Sequence, residues 1–158
     1  MKYLIEDSSF IVSLLNSDDP LHGDAYNIFV SILRTDKLTV IIPSIVLEEV
    51  LFVLLRNGIS STLVVNKLQR MLKIKRIEIY SIEKNLFNLV ENFKKILALP
   101  YSFKANDSSI VSCAMKYQNS YLLTSDVKMR NRHKNVYPNI CCFQDIDNCN
   151  ALETFFTS

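Results

Sequence analysis

The sequence predicts an α/β fold, a three-layer α/β/α sandwich around a central, mostly parallel sheet of five strands. Short apolar segments of strand character alternate with longer segments whose apolar residues recur at helical spacing. This alternation is typical of βαβ units, in which helices join parallel strands. The chain has only 2 glycines among 158 residues, which argues against a turn-rich all-β protein. With 49% hydrophobic residues, this length predicts one domain with one core over residues 1–158.

Five segments have strand character because they are short, apolar and rich in β-branched residues. Residues 38–42 are apolar almost throughout, as expected of a strand that is covered on both faces. The predicted strands cover residues 3–5, 38–42, 77–82, 121–124 and 140–143.

Seven segments have helical character, because their apolar residues recur every three or four positions. Ser8 or Ser9 is expected to cap the first helix, and Ser60 the fourth. Pro43 and Ser44 open the third helix, since proline is tolerated in a first helical turn. The predicted helices cover residues 8–15, 25–33, 44–57, 60–72, 86–97 and 106–115, with a closing helix from residue 144.

Composition excludes several classes of protein. A net charge of +2 excludes an acidic or basic tail protein, and two isolated glycines exclude a glycine-rich phosphate loop. The four cysteines form no CxxC pair and are expected to be small buried hydrophobic residues. Neither a secretory signal nor a membrane-length apolar stretch is visible, so we expect a cytoplasmic protein without a membrane anchor.

Acidic side chains follow the predicted strands at the edge where a parallel sheet binds ligands. Asp7 follows the first strand, Asp126 follows the fourth, and Asp107 begins the helix that leads into the fourth. Glu48 and Glu49 lie early in the helix after the second strand, and one of them could reach the same cleft. Asp7 and Asp107 could instead be helix caps, and Asp126 could be a turn residue. Either glutamate could be a solvated side chain of the first helical turn.

Three or four carboxylates in one cleft repel each other and are hard to keep ionised. A divalent cation that prefers oxygen ligands, such as Mg²⁺ or Mn²⁺, removes that conflict. Such a site supports phosphodiester hydrolysis, because the metal activates a water and offsets negative charge on the phosphate.

Four segments carry a resemblance to the PIN-domain family, of the kind found as VapC-type toxins. They are LIEDSS at 4–9, IPSIVLEEV at 42–50, NDSSIVSCA at 106–114 and LLTSD at 122–126. The acid of the family's second motif matches Glu49 rather than Glu48. Many relatives carry a further acid just beyond Asp126, where this chain continues with VKMR, so the resemblance supports one metal more than two.

The resemblance implies a five-stranded parallel sheet between helices and a ribonuclease that depends on Mg²⁺ or Mn²⁺. The metal would be surrounded by Asp7, Glu49, Asp107 and Asp126. The side chains expected to orient these carboxylates are Ser9, Thr124, Ser125 and Asn106. The resemblance also implies a homodimer and an antitoxin protein, one segment of which crosses the cleft.

The densest positive stretch of the chain follows Asp126 directly, over residues 128–134, and includes His133. Candidates for binding RNA phosphates are Lys128, Arg130, Arg132 and Lys134, together with Lys104. The alternative is a solvated loop of ordinary surface charge. Tyr101 and Phe103 could stack on unpaired bases, or instead pack against the sheet. The helix over 44–56 is apolar around most of its circumference, which predicts burial on two sides, against a partner or the next helix.

Two functions stay open on the sequence. One is a metal-dependent endoribonuclease, either the toxin of a toxin–antitoxin pair or an RNA-processing nuclease. The other is a non-catalytic scaffold that binds RNA or protein, and the complete set of acids favours the nuclease. A response-regulator receiver would need an aspartate where Tyr80-Ser81-Ile82 stands, and a haloacid-dehalogenase-like phosphatase would need Asp-x-Asp where Asp7-Ser8-Ser9 stands.

Overall fold

The computed structural model describes residues 1–81 and 83–158, which contain five β-strands and eight α-helices. The strands are β1 (Lys2–Glu6), β2 (Leu38–Pro43), β3 (Ile77–Tyr80), β4 (Ser120–Thr124) and β5 (Ile140–Cys142). The helices are α1 (Ser8–Leu15), α2 (His22–Arg34), α3 (Ser44–Arg56), α4 (Ser61–Leu72), α5 (Leu86–Leu97), α6 (Ala105–Lys116), α7 (Val127–His133) and α8 (Ile146–Thr157).

The five strands form one parallel sheet in the order β3-β2-β1-β4-β5, with β1 at its centre. Ile5 of β1 pairs with Ile41 of β2 on one side and with Leu122 of β4 on the other. The chain runs outward from β1 to β3 and then returns to β4, so the strand order reverses beside β1. A parallel sheet binds ligands outside the carboxyl ends of its strands at such a reversal. The ends of β1 and β4 therefore border the crevice where a site is expected.

Helices cover both faces of the sheet, which confirms the predicted α/β sandwich. The ring of Tyr3 in β1 lies 4.7 Å from that of Tyr117, the residue that ends α6. Tyr121 in β4 faces the opposite side, where its ring lies 4.8 Å from that of Phe155 in α8. Because successive side chains of a strand alternate between faces, α6 and α8 lie on opposite sides of the sheet. Every residue of β2 is buried, which explains its uninterrupted apolar sequence.

Two helix starts differ from their predicted form. The N-cap of α1 is Asp7, whose carboxylate accepts the backbone N–H of Ser8, rather than Ser8 or Ser9. Aspartate accepts a hydrogen bond at this position as readily as serine does, so the local pattern did not distinguish them. Pro43 is the last residue of β2 and precedes α3, instead of lying inside its first turn.

A seventh helix in chain order, α7, occupies the basic segment after β4, where the sequence pattern predicts no helix. Its buried residues are Met129 and His133, four positions apart, and charged residues surround them. Two buried positions make too narrow an apolar stripe for the usual helical pattern to reveal. The predicted third strand is also shorter than expected: β3 ends at Tyr80, and Ile82 lies outside the described residues.

Three cysteines, Cys113, Cys141 and Cys142, are buried as predicted, and Cys149 is half-buried. Within residues 1–81 and 83–158, no helix combines the length and the apolar character needed to span a membrane.

A carboxyl group is buried at the end of β1 in apolar surroundings. Glu6 is completely inaccessible, pairs with Leu123 of β4 and shares its face of β1 with Leu4. Neither carboxyl oxygen of Glu6 has a hydrogen-bond partner among the described residues. Burial raises the pKa of Glu6 to about 8, because a carboxylate in this environment loses its hydration. The fold therefore favours the protonated form.

We expect Glu6 to make folding stability depend on pH. Its stabilising contribution is complete below the ordinary pKa of 4.5 and is lost as the pH rises through about 8. Glu6→Gln removes this titration, so the free energy of unfolding of the wild type should fall relative to the variant by up to about 1.4 kcal/mol per pH unit in that window. Urea unfolding in EDTA across this range measures the difference.

Glu78→Gln, at an exposed position of β3, serves as the control. Parallel stability profiles for the wild type and Glu6→Gln would contradict the assignment.

Candidate active site

Asp7 lies directly after β1, is 6% exposed, and is held by donors from two strand ends. Its Oδ1 accepts the backbone N–H of Ser8 at 2.8 Å, and its Oδ2 accepts the hydroxyl groups of Ser9 at 2.8 Å and Thr124 at 2.7 Å. Thr124 is the last residue of β4, so this contact joins the carboxyl ends of the two neighbouring strands. Because donors reach both oxygens, the carboxylate has one fixed orientation.

The same hydroxyl groups also position the backbone beyond β4. Ser9 Oγ accepts the backbone N–H of Ser125 at 2.9 Å, and Thr124 Oγ1 accepts that of Asp126 at 3.0 Å. The structure thus places the side chains of Ser9 and Thr124 on Asp7, while Ser125 contributes its backbone. Asn106 is exposed in the first turn of α6.

Asp126 is the N-cap of α7. Its Oδ1 accepts the backbone N–H groups of Lys128 at 2.7 Å and Met129 at 2.9 Å. The alternative that the sequence raised for Asp126 is a turn residue, and the structure makes it a helix cap. The cap occupies one carboxylate oxygen and sets the direction of the side chain at the end of β4, so capping and a role in the site are compatible.

Asp107 occupies the first turn of α6, where it is half-buried and its Oδ2 is buried without a hydrogen-bond partner. Burial is the largest influence on this carboxyl group and raises its pKa. Lys104 lowers the pKa, whereas the charges of Asp126 and Asp7 raise it further. Asp7 and Asp126 follow β1 and β4, and Asp107 begins the helix that leads into β4 and packs against both strands. The three aspartates therefore lie at the same edge of the sheet and are called the acidic cluster below.

The glutamates of α3 differ in their placement. Glu49 is half-buried and lies beside Val50 of the buried stripe, whereas Glu48 is exposed on the outer side of the helix. Of the two glutamates, Glu49 is therefore the one whose side chain is partly covered, and its place at the site stays a prediction.

The acidic cluster has the ligand chemistry of a hard divalent cation. Within the described part of the chain, no three His, Cys, Asp or Glu side chains form a complete metal-binding group. Mg²⁺ does not require one, since it is usually bound by one or two carboxylates and keeps several waters. The unpartnered Oδ2 of Asp107 is a buried acceptor whose lost hydration a cation would offset. The residues present therefore fit Mg²⁺ or Mn²⁺.

His133 belongs to the predicted basic stretch, but the structure gives it a different character. The side chain is fully buried at the end of α7, and its Nδ1 donates to the carbonyl of Met129 at 2.9 Å. Burial lowers the pKa of His133, so the ring is neutral at pH 7 and adds no charge to the stretch. Its Nε2 is buried without a partner among the described residues. The four-residue spacing from Met129 is the signal that could have revealed a buried position.

The remaining basic candidates differ in how available they are to a ligand. Lys104, Lys128 and Lys134 are exposed, while Arg130 and Arg132 are half-buried. Arg130 also pairs with Asp145 at 3.4 Å. The exposed lysines are therefore the cations best placed to meet a phosphate.

Comparisons with known proteins agree with this architecture. A family model described as the PIN domain matches residues 4–135. VapC20 of Mycobacterium tuberculosis, described as a toxin that cleaves the sarcin-ricin loop, is similar with a TM-score of 0.61 and 19% identity, covering 80% of this chain and 92% of that one. VapBC2 of Rickettsia felis, bound to a DNA fragment from their promoter, gives a TM-score of 0.59 and 22% identity, covering 87% and 95%. No curated protein sequence matches the chain.

Thr124→Val tests the link between the two strand ends. The change removes the hydroxyl group that serves Asp7 and Asp126 but keeps the shape of the side chain. We expect a loss of about 1–3 kcal/mol in the free energy of unfolding without metal, because a buried carboxylate loses a donor. We also expect Mn²⁺ affinity to fall about 10- to 100-fold. Urea denaturation and calorimetric titration measure these effects.

Thr39→Val is the matched control, since the Thr39 hydroxyl lies away from the acidic residues and contacts the sulfur of Met1 at 3.8 Å. Equal effects in the two variants would contradict the role of Thr124.

Proposed function

The chain belongs to the PIN domain family, and we propose that it is a metal-dependent endoribonuclease that hydrolyses phosphodiester bonds in RNA. The observation that carries the proposal is the acidic cluster, three aspartates from separate segments gathered at the carboxyl edge of the sheet. The described activity of VapC20, which shares the fold, supports an RNA substrate. Residues 1–158 are proposed to form a single domain of this kind, in which β5 pairs with β4 beyond the matched region.

We propose that Mg²⁺ or Mn²⁺ is held by Asp7, Asp107 and Asp126, with Glu49 approaching from α3. When bound, the ion supplies an activated water and offsets charge on the scissile phosphate. The chain contributes orientation: Ser9 and Thr124 fix the Asp7 carboxylate, and the N-cap of α7 fixes Asp126.

The exposed lysines beside the acidic cluster are proposed to bind the RNA backbone. Lys128 lies in the first turn of α7, Lys134 follows the end of this helix, and Lys104 immediately precedes α6. Ammonium groups at these positions bind phosphates without reading the base, so the binding should weaken as salt rises. Arg130 and Arg132, also predicted as contacts, have less free surface because both are half-buried.

We further propose that the protein is the toxin of a toxin–antitoxin pair and acts in the cytoplasm, where its RNA substrate and antitoxin are present. The likeness to VapC20 and to the VapBC2 pair supports this role.

A homodimer is proposed on the evidence of exposed apolar side chains on α3, on the edge strand β3 and on α5. They are Leu51, Phe52 and Leu55 of α3, Ile79 of β3, and Leu86, Phe87 and Val90 of α5. Phe52 is 65% and Phe87 is 79% exposed, although α4 packs against α3. Thus α4 leaves this part of α3 uncovered, which favours the partner interface over the intramolecular alternative. Large apolar side chains grouped on a surface mark an interaction site.

Asp107→Asn tests the catalytic assignment. The wild type should cleave RNA with Mg²⁺ or Mn²⁺ and lose this activity in EDTA. The variant should lose cleavage by about 100-fold or more, because a neutral amide replaces a metal ligand. Gel analysis of a labelled RNA measures cleavage, and circular dichroism verifies the fold.

The control for this experiment is Asp18→Asn, at an exposed position between α1 and α2, which should keep full activity. Undiminished cleavage by Asp107→Asn would refute the assignment. Metal-independent RNA binding by a wild type that never cleaves would instead support the scaffold alternative.

Phe52→Asp and Phe87→Asp test the proposed dimer. Light scattering after size exclusion should give the wild type twice the 18.2 kDa mass of the chain, and each variant the mass of a single chain. A charge in the middle of an apolar interface opposes association, because it must lose its hydration. Tyr26→Asp, at an exposed position on α2, should remain dimeric. A wild type that runs as a single chain at tens of micromolar would contradict the proposal.

A further inference from the structure

An exposed aromatic ring lies in the segment that joins α5 to α6, six residues before Asp107. The side chain of Tyr101 is 47% exposed. Its ring meets that of Phe103 in a T-shaped contact, with 6.2 Å between the centroids and 87° between the planes. Such edge-to-face contacts are favourable and give the exposed ring a defined orientation.

The ring of Phe103, on which Tyr101 packs, is itself in contact with a buried ring. Phe103 is half-buried, and its ring lies 4.9 Å from the imidazole of His133. The imidazole is fully buried and is anchored by its hydrogen bond to the carbonyl of Met129. Three rings, called the aromatic ladder below, therefore run from solvent at Tyr101 through Phe103 to the interior at His133. An exposed ring with this support loses little conformational freedom when a ligand stacks on it.

The buried end of the aromatic ladder lies beside the acidic cluster. Asp126 caps the helix that ends at His133, and Phe103, which contacts His133, lies four residues before Asp107. In agreement with this placement, the charges of Asp107 and Asp126 both act on the imidazole. Lys104, one residue beyond Phe103, is exposed and acts on Asp107. A stacking surface, a phosphate-binding cation and a candidate metal ligand thus follow one another between residues 101 and 107.

We propose that Tyr101 stacks on an unpaired nucleobase of the RNA, adjacent to the phosphate that Lys104 and the acidic cluster bind. This inference rests on the proposed ribonuclease function and names Tyr101 as the residue that contacts a base beside the cleavage site. A base inside an A-form duplex has both faces covered by its neighbours, whereas an unpaired base can stack on an aromatic side chain. Because every base has such a face, the contact selects unpaired over paired RNA more than one base over another.

Substitutions at Tyr101 distinguish stacking of an aromatic ring on a base from contact with an apolar side chain of similar size. Tyr101→Phe keeps the ring, while Tyr101→Leu keeps an apolar side chain without one. Binding is measured by fluorescence anisotropy with Mg²⁺ in Asp107→Asn proteins, which leave the RNA intact. We expect Tyr101→Leu to raise the Kd for single-stranded RNA about 5- to 100-fold and Tyr101→Phe to stay near the parent protein. Tyr26→Leu is the matched control, since Tyr26 is 54% exposed on α2, and it should bind normally.

Abasic nucleotides test the same contact from the side of the RNA. Removing one base at a time should identify a position where the loss equals that of Tyr101→Leu. At that position, Tyr101→Leu should show no further loss, because the two changes remove the same interaction. Abasic changes that weaken both proteins equally would overturn the proposal, and that is the result expected if Tyr101 serves a protein partner instead.

The binding and cleavage experiments also distinguish the stacking proposal from the nuclease assignment on which it rests. Metal-dependent cleavage by the wild type without any abasic position that depends on Tyr101 overturns the stacking proposal alone. A base contact at Tyr101 in a protein that never cleaves RNA supports the stacking proposal and overturns the nuclease assignment. A wild type that binds no RNA overturns both.

Discussion

The hydrogen bond between the Asp7 carboxylate and the Thr124 hydroxyl is the interaction on which the geometry of the site depends. It connects the carboxyl ends of β1 and β4, which are neighbours because the strand order reverses beside β1. Ser9 bonds to the same carboxylate oxygen, and the N–H groups of Ser125 and Asp126 bond back to the two hydroxyls. Since a buried polar group is costly to leave unpaired, this closed network holds the start of α1 and the start of α7 in one arrangement.

Two buried carboxyl groups near this network show how environment separates similar side chains. Glu6 is fully buried beside apolar residues of the sheet, and its raised pKa keeps it protonated at moderately acidic pH. Asp107 is only half-buried, and its unpartnered oxygen lies in the region shared with Asp7 and Asp126. Burial disfavours the charged form in both. At Asp107, however, a cation in the crevice can offset the free-energy cost of desolvating the carboxylate. The partial burial of Asp107 therefore favours binding of a metal ion.

Local patterns predicted most of the architecture and part of the site. The alternation of strands and helices, the cap at Ser60 and the acids after β1 and β4 follow from periodicity and from preferences of a few neighbouring residues. The sequence pattern does not predict the helix α7, because its buried stripe consists of two residues in a charged segment. For the same reason the pattern places His133 among the basic residues, although its burial makes it a neutral support for Phe103.

By itself, the sequence determined the five strands, seven of the eight helices and the acids that follow the strands, because these depend on local spacing and conformational preference. Only the tertiary structure decided that Asp107 lies within reach of the charges of Asp7 and Asp126 and that one of its carboxyl oxygens is buried. It likewise decided that Arg130 pairs with Asp145, fifteen residues away. The physical reason is that proximity and desolvation depend on how the strands pair and how the helices pack across the whole chain, and no local pattern contains that information.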